Sequence, residues 1–421
     1  MEIVAKGGYP AARVGDIASQ AGVSRATFYE LFENKEACFL AAHRELGHTL
    51  DDVVTSSVAK AKPERAIDAA FSAMVEFARE QPLAYDFLTH EAMLAGPDAL
   101  EERDRLLARL EERVEQAHAV AGKRASLLPD VPASILLGGL VRVLGMRMRR
   151  GQYDSAQLLS EMTAWVDCYR PPRRSAAPPR EFAMDELEQE DQGVSPGAMA
   201  PAPLPRGRHR LPTALVTRVQ RERILHATAE AIYAKGYEDT TVADIVAKAG
   251  LSREVFYSHF HSRSDAFIAT HKLVFEQMMA TAAGAFISSS GAWPERVWDS
   301  WSAATGLVVG TPSLAHFAFV ESYALGPSIA QRTDDAIVAF TVFLRDGQRY
   351  GPDGAEPSAS VSTAIAGAVM ETTSSYIRRE RAGELFVLLP LMVYMILAPF
   401  LGGDEAREFV DGKLREPRQE G

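Results

Sequence analysis

The sequence predicts an all-α protein made of two similar helical units in tandem. Three observations carry this expectation. Apolar residues recur at helical spacing over most of the chain. A segment near the start returns 228 positions later, so that Gly8 falls on Gly236. Between the copies, residues 171–215 are rich in Pro, Ala and charge, with no lasting periodicity, and read as a flexible, partly polyproline linker.

Length and composition set the frame. At 421 residues, with 47% hydrophobic and 24% charged residues, the chain can build several large soluble cores. Its formal net charge of −11 does not advertise nucleic-acid binding, so any such contact must come from a local face working against a repulsive bulk field. Cys38 and Cys168 lack CxxC spacing and read as buried, reduced thiols of a cytoplasmic protein. The opening MEIVAKGGYP has no basic segment followed by an apolar run, so no signal peptide is expected. Leu385–Leu401 is uncharged, but it is slightly short of the ~20 residues a bilayer span needs and contains Pro390 and Pro399. It fits a buried or dimer-interface helix better than a membrane anchor.

The repeat lays residues 5–43 on residues 234–271, with one extra Gly in the first copy. Identical pairs include Gly8/Gly236, Tyr9/Tyr237, Asp16/Asp244, Ile17/Ile245, Gly22/Gly250 and Ser24/Ser252. They continue through Arg25/Arg253, Phe28/Phe256, Tyr29/Tyr257, Phe32/Phe260 and His43/His271. Moved by 230, Pro82, Glu91 and Pro97 fall on Pro312, Glu321 and Pro327, which extends the repeat to a whole two-domain unit.

The second copy reads as three short helices. Ile224, Leu225, Thr228, Ala231 and Ile232 recur at helical spacing, and Gly236 stops the first. Thr241 caps a second helix, with Asp244 completing a capping box in place of the usual Glu. Gly250 ends that helix, Leu251 plugs the turn, and Ser252 caps a third, REVFYSHF. Two helices joined by a tight Gly turn form a helix-turn-helix, and the third helix is long enough for one pass through a major groove. Phe256 and Phe260 share its buried face; Arg253 and Tyr257 look elsewhere.

These residues resemble the N-terminal DNA-binding domain of the TetR/AcrR family. The shared features are the helix-ending Gly-Tyr, Thr-Thr-Val, the Ala-Gly-Leu-Ser turn and Phe-Tyr-x-x-Phe. The resemblance implies a three-helix reading head followed by a larger helical domain that dimerises and binds a small effector, whose binding releases DNA. Residue by residue, it places Thr241, Tyr257, His259 and Arg263 at phosphate, and Ser252, Arg253, Glu254 and Val255 near base edges. In the first copy the matching positions are Ser24, Arg25, Ala26, Thr27, Tyr29 and Lys35. Glu254 is suited to accept from a cytosine amino group; Ala26 is not.

The first copy departs from this pattern. Met1 aligns with Ala229, so the counterpart of Arg218–Thr228 is missing and the head loses part of its core. Ala12 and Arg13 replace Thr240 and Thr241, Gly15 sits inside the second helix, and Leu31 stands where His259 stands. Either the true start lies upstream or this copy is decaying as a DNA reader; the intact VSRATFYELF favours the first.

The expected domains are residues 1–46 and 216–276 as reading heads, and 47–170 and 277–412 as helical regulatory and dimerisation domains, with a disordered tail at 413–421. Trp298, Trp301, Phe317, Phe319 and Tyr323 cluster in the second regulatory domain; core is the first reading and an apolar effector pocket the second. No nucleophile elbow, P-loop, dinucleotide fingerprint or metal-ligand spacing is present, so neither an enzyme nor a cofactor is expected. The resulting expectation is a double-stranded DNA operator as partner, imperfectly palindromic because the heads differ at Ala26/Glu254, Thr27/Val255 and Glu30/Ser258. An unidentified small-molecule effector and pairing of the two halves within one chain complete it. The rival is a ligand-sensing or partner-binding scaffold with one working head or none.

Overall fold

The structure, a computed structural model, describes residues 1–152, 154–171, 201–202, 211–321, 327–350 and 357–415, with backbone only at 327–330. Among these residues there is no strand, and the expected all-α class holds. Most of the predicted linker 171–215, the end of the predicted tail and Tyr323 lie outside the described residues.

The first head comprises α1 (Glu2–Ala11), α2 (Val14–Gln20), α3 (Arg25–Leu31) and the start of α4 (Lys35–Lys60). Its regulatory helices follow: α5 (Ala66–Glu80), α6 (Pro82–Asp86), α7 (Ala92–Leu94), α8 (Pro97–Ala119), α9 (Ala133–Arg149) and α10 (Ser155–Asp167). The second head repeats the order with α11 (Thr213–Lys235), α12 (Val242–Ala249), α13 (Arg253–His259) and the start of α14 (Arg263–Ser288). After it come α15 (Trp293–Gly310), α16 (Pro312–Phe319) and α17 (Pro327–Phe340). The chain closes with α18 (Ala359–Arg378), α19 (Leu385–Leu401) and α20 (Gly403–Arg415).

Element ends differ from expectation in three places. α11 begins at Thr213, inside the predicted linker, and α20 carries helix through Arg415, inside the predicted disordered tail. Each overrun is Thr213–Leu215 or Lys413–Arg415, within the shift that fraying helix ends commonly show. α4 and α14 each run unbroken across the predicted head boundaries at 46 and 276. A head and its regulatory domain therefore share one continuous rod.

By contacts the chain divides into two units. One gathers residues 1–182, 326–372 and 394–421; the other gathers 183–325 and 373–393. The first unit thus contains residues from both sequence halves, and several buried polar contacts join them. Glu371 of α18 receives Arg103 of α8 at 2.7 Å and Arg142 of α9 at 2.8 Å, all three side chains being nearly inaccessible. Arg149 meets Asp334 at 2.5 Å, and Asp130 accepts from the Tyr394 hydroxyl at 2.8 Å and from Arg407. The Tyr169 hydroxyl, which accepts from the Trp165 indole at 2.6 Å, donates to the carbonyl of Met395 at 2.8 Å. Gly139 is where backbones approach: a Cβ there meets the Trp165 ring at 2.4 Å and the Ala364 carbonyl at 2.9 Å.

The helical stretch Ala382–Leu401, which contains α19, is apolar and long enough to cross a membrane by length and composition, and most of it is buried: Val393, Met395, Ile396 and Leu397 are inaccessible. Cys38 and Cys168 are free, but half-buried, short of the full burial expected; burial raises both thiols, Cys168 to about 11.

Candidate nucleic-acid interface

In the second head the predicted local signals are all built. Gly236 stops α11 at φ 78°, a region closed to most side chains. Thr241 accepts from the backbone N–H of Asp244, while the Asp244 carboxylate accepts the Thr241 N–H at 2.9 Å. The capping box is therefore complete with Asp. Lys235 adds a contact at 2.5 Å, and its hydrogen bond, followed by those from Thr241, holds the Asp244 carboxyl well below the usual range. Gly250 takes the left-handed conformation that turns the chain, and Ser252 caps α13 by accepting the N–H of Val255 at 3.2 Å.

This geometry aims α13. Phe256 and Phe260 point into a core with Ile224, Leu225, Ile245, Ala249 and Ala266. Arg253, Glu254, Tyr257 and Ser258 face solvent, and Val255 is half-buried. Tyr257 is 55% exposed yet rigid, its ring edge-on to Phe256 at 5.3 Å and 87°. Such a face combines a planar cation, a carboxylate and a fixed phenol, which suits hydrogen bonding to base edges and phosphate.

The first head reproduces the aim. Ser24 caps α3 by accepting the N–H of Thr27 at 3.0 Å, and its hydroxyl also bonds that of Thr27. Tyr29 is 56% exposed and edge-on to Phe28 at 5.4 Å and 89°. Arg25 and Ala26 face solvent and Thr27 is half-buried. Arg25 also lies over Gly15, where a Cβ would sit 2.4 Å from its guanidinium. Gly15, read from sequence as a defect, leaves room for that side chain. As expected, Arg13 provides α2 with no side-chain cap. The extra Gly proves to need no insertion, because Gly8 (φ 79°) and Gly236 (φ 78°) superpose in role and Val4 and Ile232 are both buried.

Of the predicted phosphate contacts, Arg263, Lys35 and Thr241 have side-chain partners within the protein. The Arg263 guanidinium donates to the carbonyls of Tyr237, Glu238 and Thr240 at 2.6–2.9 Å and stacks 4.2 Å over the Tyr237 ring. Lys35 donates to the Tyr9 carbonyl at 2.9 Å, lies 4.0 Å over the Tyr9 ring, and is lowered in pKa by burial. His259 keeps Nε2 buried without a hydrogen-bond partner, and burial, then Arg221, depresses its pKa. Thr241 is exposed, its hydroxyl turned to Asp244.

Sequence reading missed what those cations serve. Each head meets its regulatory domain at a joint built on the Gly-Tyr turn. In the first, the N–H of Tyr9 donates to Glu91 at 2.7 Å; in the second, the N–H of Tyr237 donates to Glu321 at 3.3 Å. The tyrosine rings pack edge-on against Phe39 at 5.1 Å and Phe267 at 4.9 Å. Those in turn meet Phe87 at 4.2 Å and Phe317 at 4.4 Å. Burial, above all, and then Asp86 push the Glu91 carboxyl up to about 7. Glu91 ends a π-helical turn, Phe87–Glu91, a geometry frequent at functional sites. The shared 230-residue offset of Glu91 and Glu321 was the signal that could have revealed the joint.

The aromatic cluster divides. Phe317 and Phe319 are buried, Phe317 in the joint's core with Ile232, Phe267 and Leu314, whereas Trp298 and Trp301 are half-buried.

Comparison with known proteins agrees with the heads. Residues 1–42 and 224–270 both match the family model described as bacterial regulatory proteins, tetR family. A solved TetR family transcription regulator from Marinobacter aquaeolei VT8 is similar at 17% identity, over 44% of this chain and 97% of that one, with a TM-score of 0.34. No curated protein matches the chain. Each half of the sequence thus carries a segment similar to the tetR-family regulators, and each such segment holds the exposed helix described above.

Proposed function

We propose that this chain is a sequence-specific DNA-binding transcription regulator, a repressor that leaves its operator when a small molecule binds the helical domains. The observation that carries this reading is the paired presentation of α3 and α13. Both follow a Gly turn, both are capped by Ser, and both hold Arg and an edge-locked Tyr outward while Phe anchors the helix inward. The family-model match to the same two segments supports it independently.

The contacts of Glu371, Asp334, Tyr394, Met395 and Arg407 with residues of the first half support pairing of the halves within one chain. Removing one partner of such an ion pair costs ~3–5 kcal/mol, so these contacts favour a defined pairing over a loose one. Release of DNA would pass through the Gly-Tyr joints, where a displaced Glu91 or Glu321 frees the N–H at the hinge between head and regulatory domain. Trp298 and Trp301 are the aromatic residues best placed to meet an apolar effector, since neither is sealed in the core.

The testing experiment is selection of bound DNA from a random pool. An imperfect palindrome with half-sites about 34 Å apart is expected from two working heads. A single half-site supports the second reading, one functional head, which the lack of a side-chain cap on α2 of the first head favours. No enrichment over competitor at modest ionic strength defeats both. Light scattering that finds a stable two-chain particle at low concentration removes the intrachain pairing.

A further inference from the structure

α9 in the first half and α18 in the second hold equivalent places in the repeat. Shifted by 229, Gly138, Arg149 and Arg150 fall on Gly367, Arg378 and Arg379. Both helices also end in the same way. Gly151 takes φ 66° after α9, and its counterpart Glu380 takes φ 58° after α18, a conformation that disfavours a side chain. The contacts between the two helices are reciprocal. A Cβ on Gly138 meets the Glu371 side chain at 3.2 Å, and a Cβ on Gly367 meets the Arg142 side chain at 2.8 Å. That exchange of partners marks a local two-fold axis between α9 and α18, beside which a residue faces its own counterpart. Arg142 and Glu371 are such counterparts, 229 positions apart, and they meet at 2.8 Å while nearly inaccessible.

We propose that this charge pair selects the partner: it admits a first half against a second half and excludes each half from a second copy of itself. The inference rests on the pairing of the halves proposed above and is independent of whether either head reads DNA. A two-fold axis between two first halves would set Arg142 against Arg142, with Arg103 of each copy beside them and the Glu371 carboxylate gone. Between two second halves it would set Glu371 against Glu371, because the counterpart of Arg103, 230 positions on, is Thr333. Like charges in contact at a site closed to water repel far more strongly than on a surface. The unlike pairing instead gives Glu371 two guanidinium partners, Arg142 at 2.8 Å and Arg103 at 2.7 Å. The neighbouring Arg149–Asp334 pair supplies the contrast. Its counterparts are Arg378 and Asp104, the same two residue types, so like and unlike pairings can both draw on it. Discrimination is therefore carried by positions 103, 142 and 371, where the two halves differ in charge.

The test uses the full chain with a protease site placed within residues 172–200, cut after purification so that both halves are present in equal amounts. Native mass spectrometry then separates unlike from like pairs by mass. The cut wild type is expected to hold unlike pairs, with like pairs below about a tenth. The comparison is the triple variant Arg103→Met, Arg142→Met and Glu371→Met, since buried ion triads often tolerate apolar replacement without loss of folding. Its like pairs should rise to roughly half, the statistical share, a gain of about fivefold or more. Equal shares of like pairs in wild type and variant overturn the proposal. Unpaired halves from the wild type sink the pairing on which it rests, and the proposal with it. A second measurement needs no cut: Glu371→Lys and Arg142→Glu, each of which disables its own crossing, are co-expressed as full chains with different tags. A 1:1 two-chain particle is expected, because Arg103 and Arg142 of one chain meet Glu371 of the other. Its absence overturns the proposal.

Discussion

Set Ile245 beside Ile17, Ala249 beside Ala21, and Phe260 beside Phe32. The member of each pair in the second head is buried, and the member in the first is open to solvent in part or in full. Around them the local skeleton is the same: a positive-φ Gly, a Gly turn, a Ser cap, a Phe anchor and an outward Tyr. The aim of the exposed helix is therefore set by short-range signals, caps and turns, which need only neighbouring residues. Closure of the interior in the second head is set by Ile224 and Leu225 of α11, which lie ahead of the register at which α1 begins. The pointing geometry and the closure of the interior thus have separate origins.

The largest expected effect separates the two interiors. Phe256→Ala removes a fully buried ring from a closed core and should destabilise the second head by ~3–5 kcal/mol, read as lost amide protection at Ile245 and Ala249. Phe28→Ala empties a core already open on one side, so water reaches the site and the loss should be smaller by ~1 kcal/mol or more. Equal losses would mean that the exposure difference has no energetic content.

Next in size is the contrast between the outward arginines. Arg253→Ala should cost ~1–3 kcal/mol of operator affinity and relax base preference at its half-site in a gel-shift titration. Arg25 lies over Gly15, so Arg25→Ala should cost less, and Gly15→Ala, whose Cβ displaces that guanidinium, should raise the cost of Arg25→Ala toward that of Arg253→Ala. Identical effects of Arg25→Ala and Arg253→Ala would show that the resting place over Gly15 does not matter.

Much of this was legible in the sequence because it is encoded locally. The Thr241–Asp244 box, the Ser caps, the Gly stops and the inward Phe pair are each determined within four residues, and each is built as read. The missing side-chain cap at Arg13 was legible for the same reason. What escaped was everything whose partner lies far along the chain. Arg263 and Lys35 read as phosphate ligands because their position after the recognition helix leaves a cation near the surface. The structure gives each of them the carbonyls and ring of a turn 26 residues back. Glu91 and Glu321 read only as matched letters, since nothing local reveals an acceptor for an N–H about 80 residues earlier. The buried Glu371 cluster, which joins the two sequence halves, was invisible for the same reason.

These carbonyl contacts give a third outcome of ~1–3 kcal/mol. Arg263→Met keeps the stem and removes the donors, so three carbonyls lose a charged partner and the head should lose stability by that amount. The salt dependence of DNA binding should then keep its slope, whereas loss of a true phosphate contact flattens it by about one unit. Lys35→Met should cost less, since Lys35 holds one carbonyl. Cap changes come lower still. Thr241→Ala should cost ~1 kcal/mol, and Arg13→Thr should return a similar amount to α2, bringing the two heads closer.

A pH dependence also distinguishes the joints. Glu91 is buried where Glu321 is half-buried with His316 at 3.5 Å. With its pKa raised to about 7 in the fold, Glu91 binds a proton that the unfolded chain lacks between its ordinary value near 4.5 and 7. Its contribution therefore favours the fold increasingly as pH falls through that window and opposes it above 7. His90, held neutral with a pKa near 3, and His43, also lowered by burial, act in the opposite sense below about 6.5. A wild-type melting curve thus mixes the two, and Glu91→Gln separates them, because the amide oxygen still accepts the Tyr9 N–H but carries no titrating proton. The melting temperature of wild type relative to Glu91→Gln should rise as pH falls from 8 to 5. A constant difference over that range would mean that Glu91 titrates alike in the folded and unfolded chain, and that its joint is as open to water as that of Glu321.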